Sequence, residues 1–297
     1  MYDIIIVGGG CAGLTAAVYA LRAGKKVLVL ECESIGGQIS YSPKVENFPS
    51  IKSISGMEFS SNLFDQVSDL GADFEFERVT EIKDGETKTV ITDYNTYECK
   101  SIILATGVKH RKLGLECEEE FAGKGVSYCA VCDGAFYKGK TVAVNGGGNS
   151  ALQSAELLSG ICEKVYLIHR RSEFRGELSH VKRLESIDNI EFVLNSTVSN
   201  ISGSDNVEVV EITDVNTNEK KTLNIDGLFV TIGQIPDNKA FENLVKLDEN
   251  GYIIAGEDCK TSAKNIYAAG DCRTKQVRQL TTAAADGAVA ALAAVNS

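Results

Sequence analysis

The feature that most constrains this chain is a β-turn-α-β pattern with a glycine-rich turn, and it occurs twice. The first copy opens with the apolar run Asp3-Ile4-Ile5-Ile6-Val7 and passes through Gly8-Gly9-Gly10-Cys11-Ala12-Gly13. It continues as a helical pattern to about Gly24 and ends in Lys26-Val27-Leu28-Val29-Leu30-Glu31. An apolar run without polar alternation suits a parallel strand covered on both faces. Gly8, Gly10 and Gly13 stand where the turn must tighten, where a phosphate must approach the backbone, and where the helix must pack close to the strand. The amides at the start of the helix, those of Cys11, Ala12 and Gly13, then face an anion. Glu31 closes the second strand, where a carboxylate can accept from an adenosine ribose hydroxyl. The pattern predicts a dinucleotide site.

The second copy runs from Thr141-Val142-Ala143-Val144-Asn145 into Gly146-Gly147-Gly148-Asn149-Ser150-Ala151, then a helix to about Gly160 and the strand Lys164 to Ile168. Gly146, Gly148, Asn149, Ser150 and Ala151 are the expected phosphate-side contacts. At the position equivalent to Glu31 stands His169, the first residue of His169-Arg170-Arg171-Ser172-Glu173-Phe174-Arg175. A carboxylate there would repel a 2′-phosphate, whereas guanidinium groups grip one through paired, charge-assisted hydrogen bonds. His169, Arg170, Arg171 and Arg175 therefore predict NADPH in preference to NADH.

At 297 residues the chain has room for two domains. Ser101 to Gly107 reads as a strand ending in a glycine turn. Near the C-terminus, Asn265 to Cys272 reads as a strand, and a helix rich in alanine follows from about Leu280. That last βα element has no sheet of its own and is expected to return to the first fold. The predicted class is α/β, with two Rossmann-like dinucleotide-binding domains, the second inserted into a discontinuous first. The expected segments are residues 1–110, 111–240 and 241–297, with crossings near 108 to 112 and 236 to 242.

Of nine cysteines, Cys129 and Cys132 alone form a close pair. Two residues between cysteines suit a redox disulfide, and the same spacing is half of a zinc site. A second close pair is missing, which favours redox chemistry and no bound metal. The other cysteines are expected as small buried hydrophobes in a reducing compartment. A net charge of −11 opposes nonspecific binding to nucleic acid or anionic membrane. Met1 leads straight into the first strand with no signal-type segment, and no stretch is long and apolar enough to span a bilayer, so a cytoplasmic protein is expected.

Taken together, the motifs resemble the low-molecular-weight thioredoxin reductases, FAD-containing and NADPH-dependent disulfide reductases, over essentially the whole chain. The matching stretches are GGGCAG at 8–13, GGQ at 36–38, VENFP at 45–49, ATG at 105–107 and CAVCDG at 129–134. They continue with GGGNSA at 146–151, HRRSEFR at 169–175, GDC at 270–272 and RQL at 278–280. The resemblance implies that the first fold holds FAD, with Glu31 on the adenosine ribose and Gln38 and Asn47 near the flavin. Asp271 would contact the ribityl chain or pyrophosphate, and Arg278 and Gln279 would lie beside the isoalloxazine. Gly36, Gly37, Ala105, Thr106, Gly107, Gly270, Leu280 and Ala283 join the implied FAD contacts, and Ile232 and Gly233 the implied nucleotide contacts. The inserted fold would hold NADPH and carry the cysteine pair, with Cys132 facing the flavin and Cys129 attacking the partner's disulfide. Asp133 would exchange the proton, a role favoured if burial raises its pKa.

The resemblance further implies a homodimer formed mainly through the FAD domain, and rotation of the inserted domain between half-reactions. Departures fall at Cys11, where the family usually has proline, at Ser50 for glycine, at Ala135 for an aromatic, and at Lys124 for arginine. The last two positions help dock thioredoxin in the family, so the expected partner is thioredoxin or a related small redox protein. A reductase fed by another electron donor would tend to lose the second glycine motif and the arginines. A zinc or redox-sensing module would leave both fingerprints without purpose.

Overall fold

In the computed structural model, which describes residues 1–42 and 44–297, the chain divides into two compact units. The first comprises Met1–Lys109 and Ile235–Ser297, and the second His110–Gln234.

The first unit begins with β1 (Tyr2–Val7), α1 (Cys11–Arg22) and β2 (Val27–Leu30), followed by α2 (Gly56–Asp69), β3 (Asp73–Glu75), β4 (Val79–Lys83), β5 (Lys88–Thr92) and β6 (Thr96–Leu104). β1 pairs in parallel with β2 on one side and β6 on the other, and β3 extends the sheet beyond β2. β1 and β2 are buried from Ile4 to Val7 and from Val27 to Leu30, as apolar strands covered on both faces should be. The first half of β6 pairs antiparallel with β5, which pairs with β4.

β7 (Val108–His110) carries the chain across the first crossing. The second unit then contains β8 (Val126–Ser127), α3 (Ala130–Asp133), β9 (Thr141–Asn145), α4 (Asn149–Ser159), β10 (Lys164–Ile168), α5 (Leu178–Glu185) and β11 (Ile190–Val193). It ends with β12 (Ser196–Gly203), β13 (Val207–Asp214), β14 (Lys220–Asn224) and β15 (Gly227–Val230). The order β11-β10-β9-β15-β8 is parallel throughout, and β12, β13 and β14 form a separate antiparallel sheet.

β16 (Gln234–Pro236) spans the second crossing, and β17 (Ile266–Ala268) and α6 (Leu280–Val295) belong to the first unit. β17 pairs in parallel with the last three residues of β6. The second crossing falls at Gln234/Ile235, ahead of the 236 to 242 expected. Phe241 and Val245 explain the shift, because both are buried in the first unit's core with Ile253 and Ala255; the chain has changed units before Pro236. α6 packs against α1 through small residues: Ala16, Ala17 and Ala20 share one core with Ala290, Ala291 and Ala294. A Cβ at Gly287 would stand 2.2 Å from the Ala12 carbonyl oxygen, so the helices cross as closely as backbones allow. Among the described residues, no helix is long and apolar enough to cross a membrane.

Candidate active site

Cys129 and Cys132 form a disulfide with a Cα–Cα distance of 5.3 Å. β8 delivers the chain to this point from the edge of the parallel sheet, and Cys129 caps α3, its sulfur accepting from the Cys132 amide at 3.2 Å. Ala130 anchors the short helix in the second unit's core beside Val142 and Ala151, which turns Val131 outward, 63% exposed between the two cysteines. Tyr128 is fixed by a 2.9 Å hydrogen bond to buried Glu118 and by stacking on His110.

Asp133 follows directly. Its Oδ2 accepts from Ser127 Oγ at 2.6 Å, while its buried Oδ1 has no protein partner. Burial pushes this carboxyl up from the usual aspartate range, and the Ser127 hydrogen bond pulls partly the other way. The group is thereby moved toward the range useful for proton transfer near neutrality.

The second glycine loop lies between β9 and α4. A Cβ at Gly146 would meet the Thr231 oxygen at 2.6 Å, and one at Gly147 would enter the His169 ring at 2.0 Å, whereas Gly148 faces open space. Gly148 caps α4 without a side-chain acceptor. Asn149 and Ser150 are exposed at the helix start and Ala151 is buried under it. Asn149 Oδ1 accepts from the Glu177 amide at 2.9 Å. His169 is buried, donates from Nε2 to the Glu173 carbonyl at 3.1 Å and stacks on Phe174. The structure thus puts His169 beneath Gly147 and away from the surface, because the Arg175 amide donates to the Gly147 carbonyl at 2.7 Å and folds the run back under the loop. Arg170, Arg171 and Arg175 instead line an open cleft of about 450 Å³, together with Asn195 and Asn216. Ile232 and Gly233 follow β15, Gly233 at φ +114°.

In the first unit, Gly8 has φ +111° and a Cβ there would lie 2.3 Å from the Ala105 carbonyl oxygen. A Cβ at Gly13 would lie 1.9 Å from the Gly8 carbonyl oxygen. Glu31 is buried below the loop, Oε2 accepting from the Gly9 amide at 2.7 Å and Oε1 from the amides of Cys32 and Glu33 at 2.8 Å each. Gly36 bridges to Gly10 and donates to the Gly9 carbonyl at 2.8 Å; Gly37 and exposed Gln38 continue into a 3-10 turn. Asn47 Nδ2 donates to Gln279 Oε1 at 3.2 Å, joining residues far apart in the chain. Thr106 donates to buried Asn238 at 2.8 Å, and Gly107 turns at φ +65°.

Gly270, at φ +80°, packs on Ala12 and Ala283. Beside it the carboxyl Oδ1 of Asp271 is buried with no partner. Burial pushes Asp271 up, against the pull of Lys275 and Arg278. Arg278 lies over the Tyr252 ring, 4.3 Å from its centroid. Cys11 donates to the Leu280 carbonyl at 3.6 Å, and burial raises its thiol to about 11.

These features suit bound dinucleotides. α1 and α4 are both capped by glycine with no side-chain acceptor, whereas α2 has Ser55 accepting from Glu58. Their first amides are left to a ligand phosphate. The orphaned Asp271 oxygen calls for a donor such as a sugar hydroxyl. Among the described residues, no group of three or more His, Cys, Asp or Glu side chains is arranged to hold a metal ion.

Sequence reasoning missed Ser127, Asn238 and a buried cluster of Asp286, Arg273 and Lys275. Asp286 accepts from the Gly270 amide at 2.9 Å, from Arg273 Nε and Nη2 at 2.9 and 2.8 Å, and from Lys275 at 2.8 Å. One signal was present: Asp286 is the sole charged residue of α6. Five of the seven unpaired cysteines are buried as expected, but Cys32 is exposed and Cys117 half-buried.

The pyridine nucleotide-disulphide oxidoreductase family model matches residues 2–287. Thioredoxin reductase from Listeria innocua is 41% identical over 293 residues, covering 98% of this chain and 92% of the relative. The solved thioredoxin reductase of Streptococcus pyogenes MGAS5005 is 37% identical with a TM-score of 0.96, covering 100% of this chain and 97% of the other. That of Lactococcus lactis in the FR conformation is 38% identical with a TM-score of 0.69, covering 100% and 98%. The cysteine pair, the two glycine loops and these likenesses agree, and the chain belongs to the pyridine nucleotide-disulphide oxidoreductase family.

Proposed function

We propose that the chain is an NADPH-dependent flavoprotein disulfide reductase, a thioredoxin-disulfide reductase that passes electrons through Cys129 and Cys132 to thioredoxin or a thioredoxin-like protein. The observation that carries this reading is the Cys129–Cys132 disulfide with the half-satisfied Asp133 carboxyl beside it, in the same unit as an arginine-lined cleft. Bound FAD supplies the two-electron relay between a hydride donor and a disulfide. The first unit is the FAD domain: the amides of Cys11, Ala12 and Gly13 face the pyrophosphate, Glu31 the ribose, and Asp271 a sugar or ribityl hydroxyl. Gln38, Asn47, Arg278 and Gln279 hold the flavin end. The second unit is the NADPH domain. Its α4 amides face the pyrophosphate, and Arg170, Arg171 and Arg175 grip the 2′-phosphate.

In the exchange step the Cys129 thiolate attacks one sulfur of the partner's disulfide. A Cys129–partner bond forms, the partner's own S–S bond breaks, and Asp133 gives a proton to the departing thiolate. Cys132 passes its proton to the now ionised Asp133 and attacks the Cys129 sulfur; the internal S–S bond re-forms, the Cys129–partner bond breaks, and Asp133 hands that proton to the departing second sulfur, so the partner leaves as a dithiol. Because the cysteine pair and the arginine cleft share one unit, reaching bound flavin in turn would require that unit to rotate through the two crossings. Two solved relatives of nearly equal identity match this chain with TM-scores of 0.96 and 0.69, which supports more than one arrangement among such proteins. The free thiols suit the cytoplasm, and the working assembly is a homodimer built mainly on the FAD domain.

The test is optical. The purified protein should be yellow, bleached anaerobically by NADPH and far less by equimolar NADH, and recoloured by oxidised thioredoxin. A colourless protein, or equal bleaching by both nucleotides, would contradict the reading.

A further inference from the structure

We infer that Ser127 is a positioning residue for the exchange step: its hydroxyl locks the Asp133 carboxyl to the backbone of Cys129 and thereby sets the pH at which Asp133 gives and takes its proton. This rests on the role proposed above for Asp133. Ser127 is the last residue of β8 and only 5% exposed. Its Oγ accepts from the Cys129 amide at 3.1 Å and donates to Asp133 Oδ2 at 2.6 Å, the Cys129 carbonyl being a second and much longer acceptor at 3.4 Å. One hydroxyl therefore joins the attacking cysteine's backbone to the carboxyl that serves it. An acceptor already engaged by a backbone amide keeps its own proton aimed at the carboxylate, so the bond favours the ionised form.

The rest of the surroundings offers little else to do this. Oδ1 has no partner. The helix packed on this side, α4, buries apolar Ala155 and Leu158, and Leu158 and Ile161 lie over Gly134. Among the described residues, the titratable groups on this side are the Tyr137 phenol, raised to about 12 by burial and then by the Asp133, Asp226 and Cys162 groups around it, and the two active-site thiols once the disulfide opens. The Tyr137 phenol is neutral throughout the working range and the thiols are the reacting groups, which leaves Ser127 as the fixed polar contact that tunes the carboxyl.

The experiment follows reoxidation of the reduced holoenzyme by oxidised thioredoxin in stopped flow from pH 5 to 9. It compares wild type with Ser127→Ala, Ser127→Gly, Ser127→Thr and Asp133→Asn. Removing the hydroxyl withdraws a bond that favours the charged carboxylate, so the limb due to Asp133 moves to higher pH. The expected move is about one pH unit, or about tenfold in rate at fixed pH on that limb. Ser127→Thr, which keeps a hydroxyl, restores the wild-type midpoint, and Asp133→Asn removes the limb. Ser127→Gly supplies the same reading should Ser127→Ala fold poorly. If both hydroxyl-less variants keep the midpoint within about 0.3 unit while Asp133→Asn abolishes the limb, Ser127 has no such role and Asp133 retains its own. If the limb survives in Asp133→Asn, the Asp133 assignment falls and this one with it.

Discussion

Replacing Asp286 with Asn is expected to be among the most damaging single changes in the first unit, although the residue lies in an alanine-rich helix. Its side chain is 8% exposed, and those of Arg273 and Lys275 are 2% and 6% exposed. Two buried cations thus share one buried carboxylate. The amide that replaces it keeps one acceptor oxygen and turns an NH₂ toward groups that can only donate. Although Arg273 keeps exposed Glu257 at 3.5 Å and the Ala255 and Thr274 carbonyls, the buried carboxylate it shares with Lys275 is gone, and removing one partner from a buried pair costs about 3–5 kcal/mol. Against a total of roughly 5–15 kcal/mol for a domain, that is a large fraction. With a urea slope of about 2–3 kcal/mol per molar, the midpoint for the first unit should fall by roughly 1–2.5 M, read by circular dichroism on the flavin-free protein. Replacing the three charges together, as Arg273→Met, Lys275→Met and Asp286→Leu, should cost less than the single change, since no orphaned charge remains. A midpoint within about 0.3 M of wild type for Asp286→Asn, or a triple variant as unstable as the single one, would refute the reasoning. The cluster also carries a pH signature. Burial alone would raise the Asp286 carboxyl, but its hydrogen bonds to Arg273 and Lys275 outweigh that and hold it below the ordinary value. Its contribution is therefore fully present above about pH 3.9, the unfolded value, and is lost as pH falls through the lower folded value.

Three further outcomes are expected. Gly8→Ala places a Cβ 2.3 Å from the Ala105 carbonyl oxygen at φ +111°, so the β1 turn must open; the variant should purify with less than about half the wild-type flavin content, a loss of at least ~2 kcal/mol in strain and clash. Arg170→Ala combined with Arg171→Ala should raise KM for NADPH at least about tenfold, the worth of a lost charge-assisted pair, while KM for NADH barely moves; equal changes for both nucleotides would remove the arginines from the 2′-phosphate. Alkylation of the native oxidised protein should label Cys32 first, since it is exposed, while Cys99 and Cys259 stay protected because burial removes access and raises both thiols to about 12; peptide mass spectrometry at short times reads the order.

What could be read from the chain alone were the positions where backbone geometry itself selects the residue. Gly13 is required by the Gly8 carbonyl in the same turn and Gly8 by its own φ of +111°, so that much of the requirement is written within a few residues of sequence, whereas the Ala105 carbonyl that also crowds Gly8 comes from a distant strand end. The arginine run is legible for a similar reason: it follows β10 immediately, and a strand end fixes where its successors lie. His169 shows the limit of that logic. Spacing aligned it with Glu31, and both side chains do end beneath a glycine loop, Glu31 bonded to the Gly9 amide and His169 against Gly147. But an acid in that place still presents lone pairs to a sugar, whereas the imidazole spends its Nε2–H on the Glu173 carbonyl, and the polar work passes to the arginines after it. Asp286 and Asn238 were illegible because their partners come from distant segments. Asp286 meets Gly270 and Arg273 only when α6 has docked, and Asn238 meets Thr106 and Cys272 only when the chain has recrossed into the first unit. The second visit of the chain to the first unit therefore does more than add a strand: through Asp286 and Asn238 it holds the turns that carry Asp271 and Thr106.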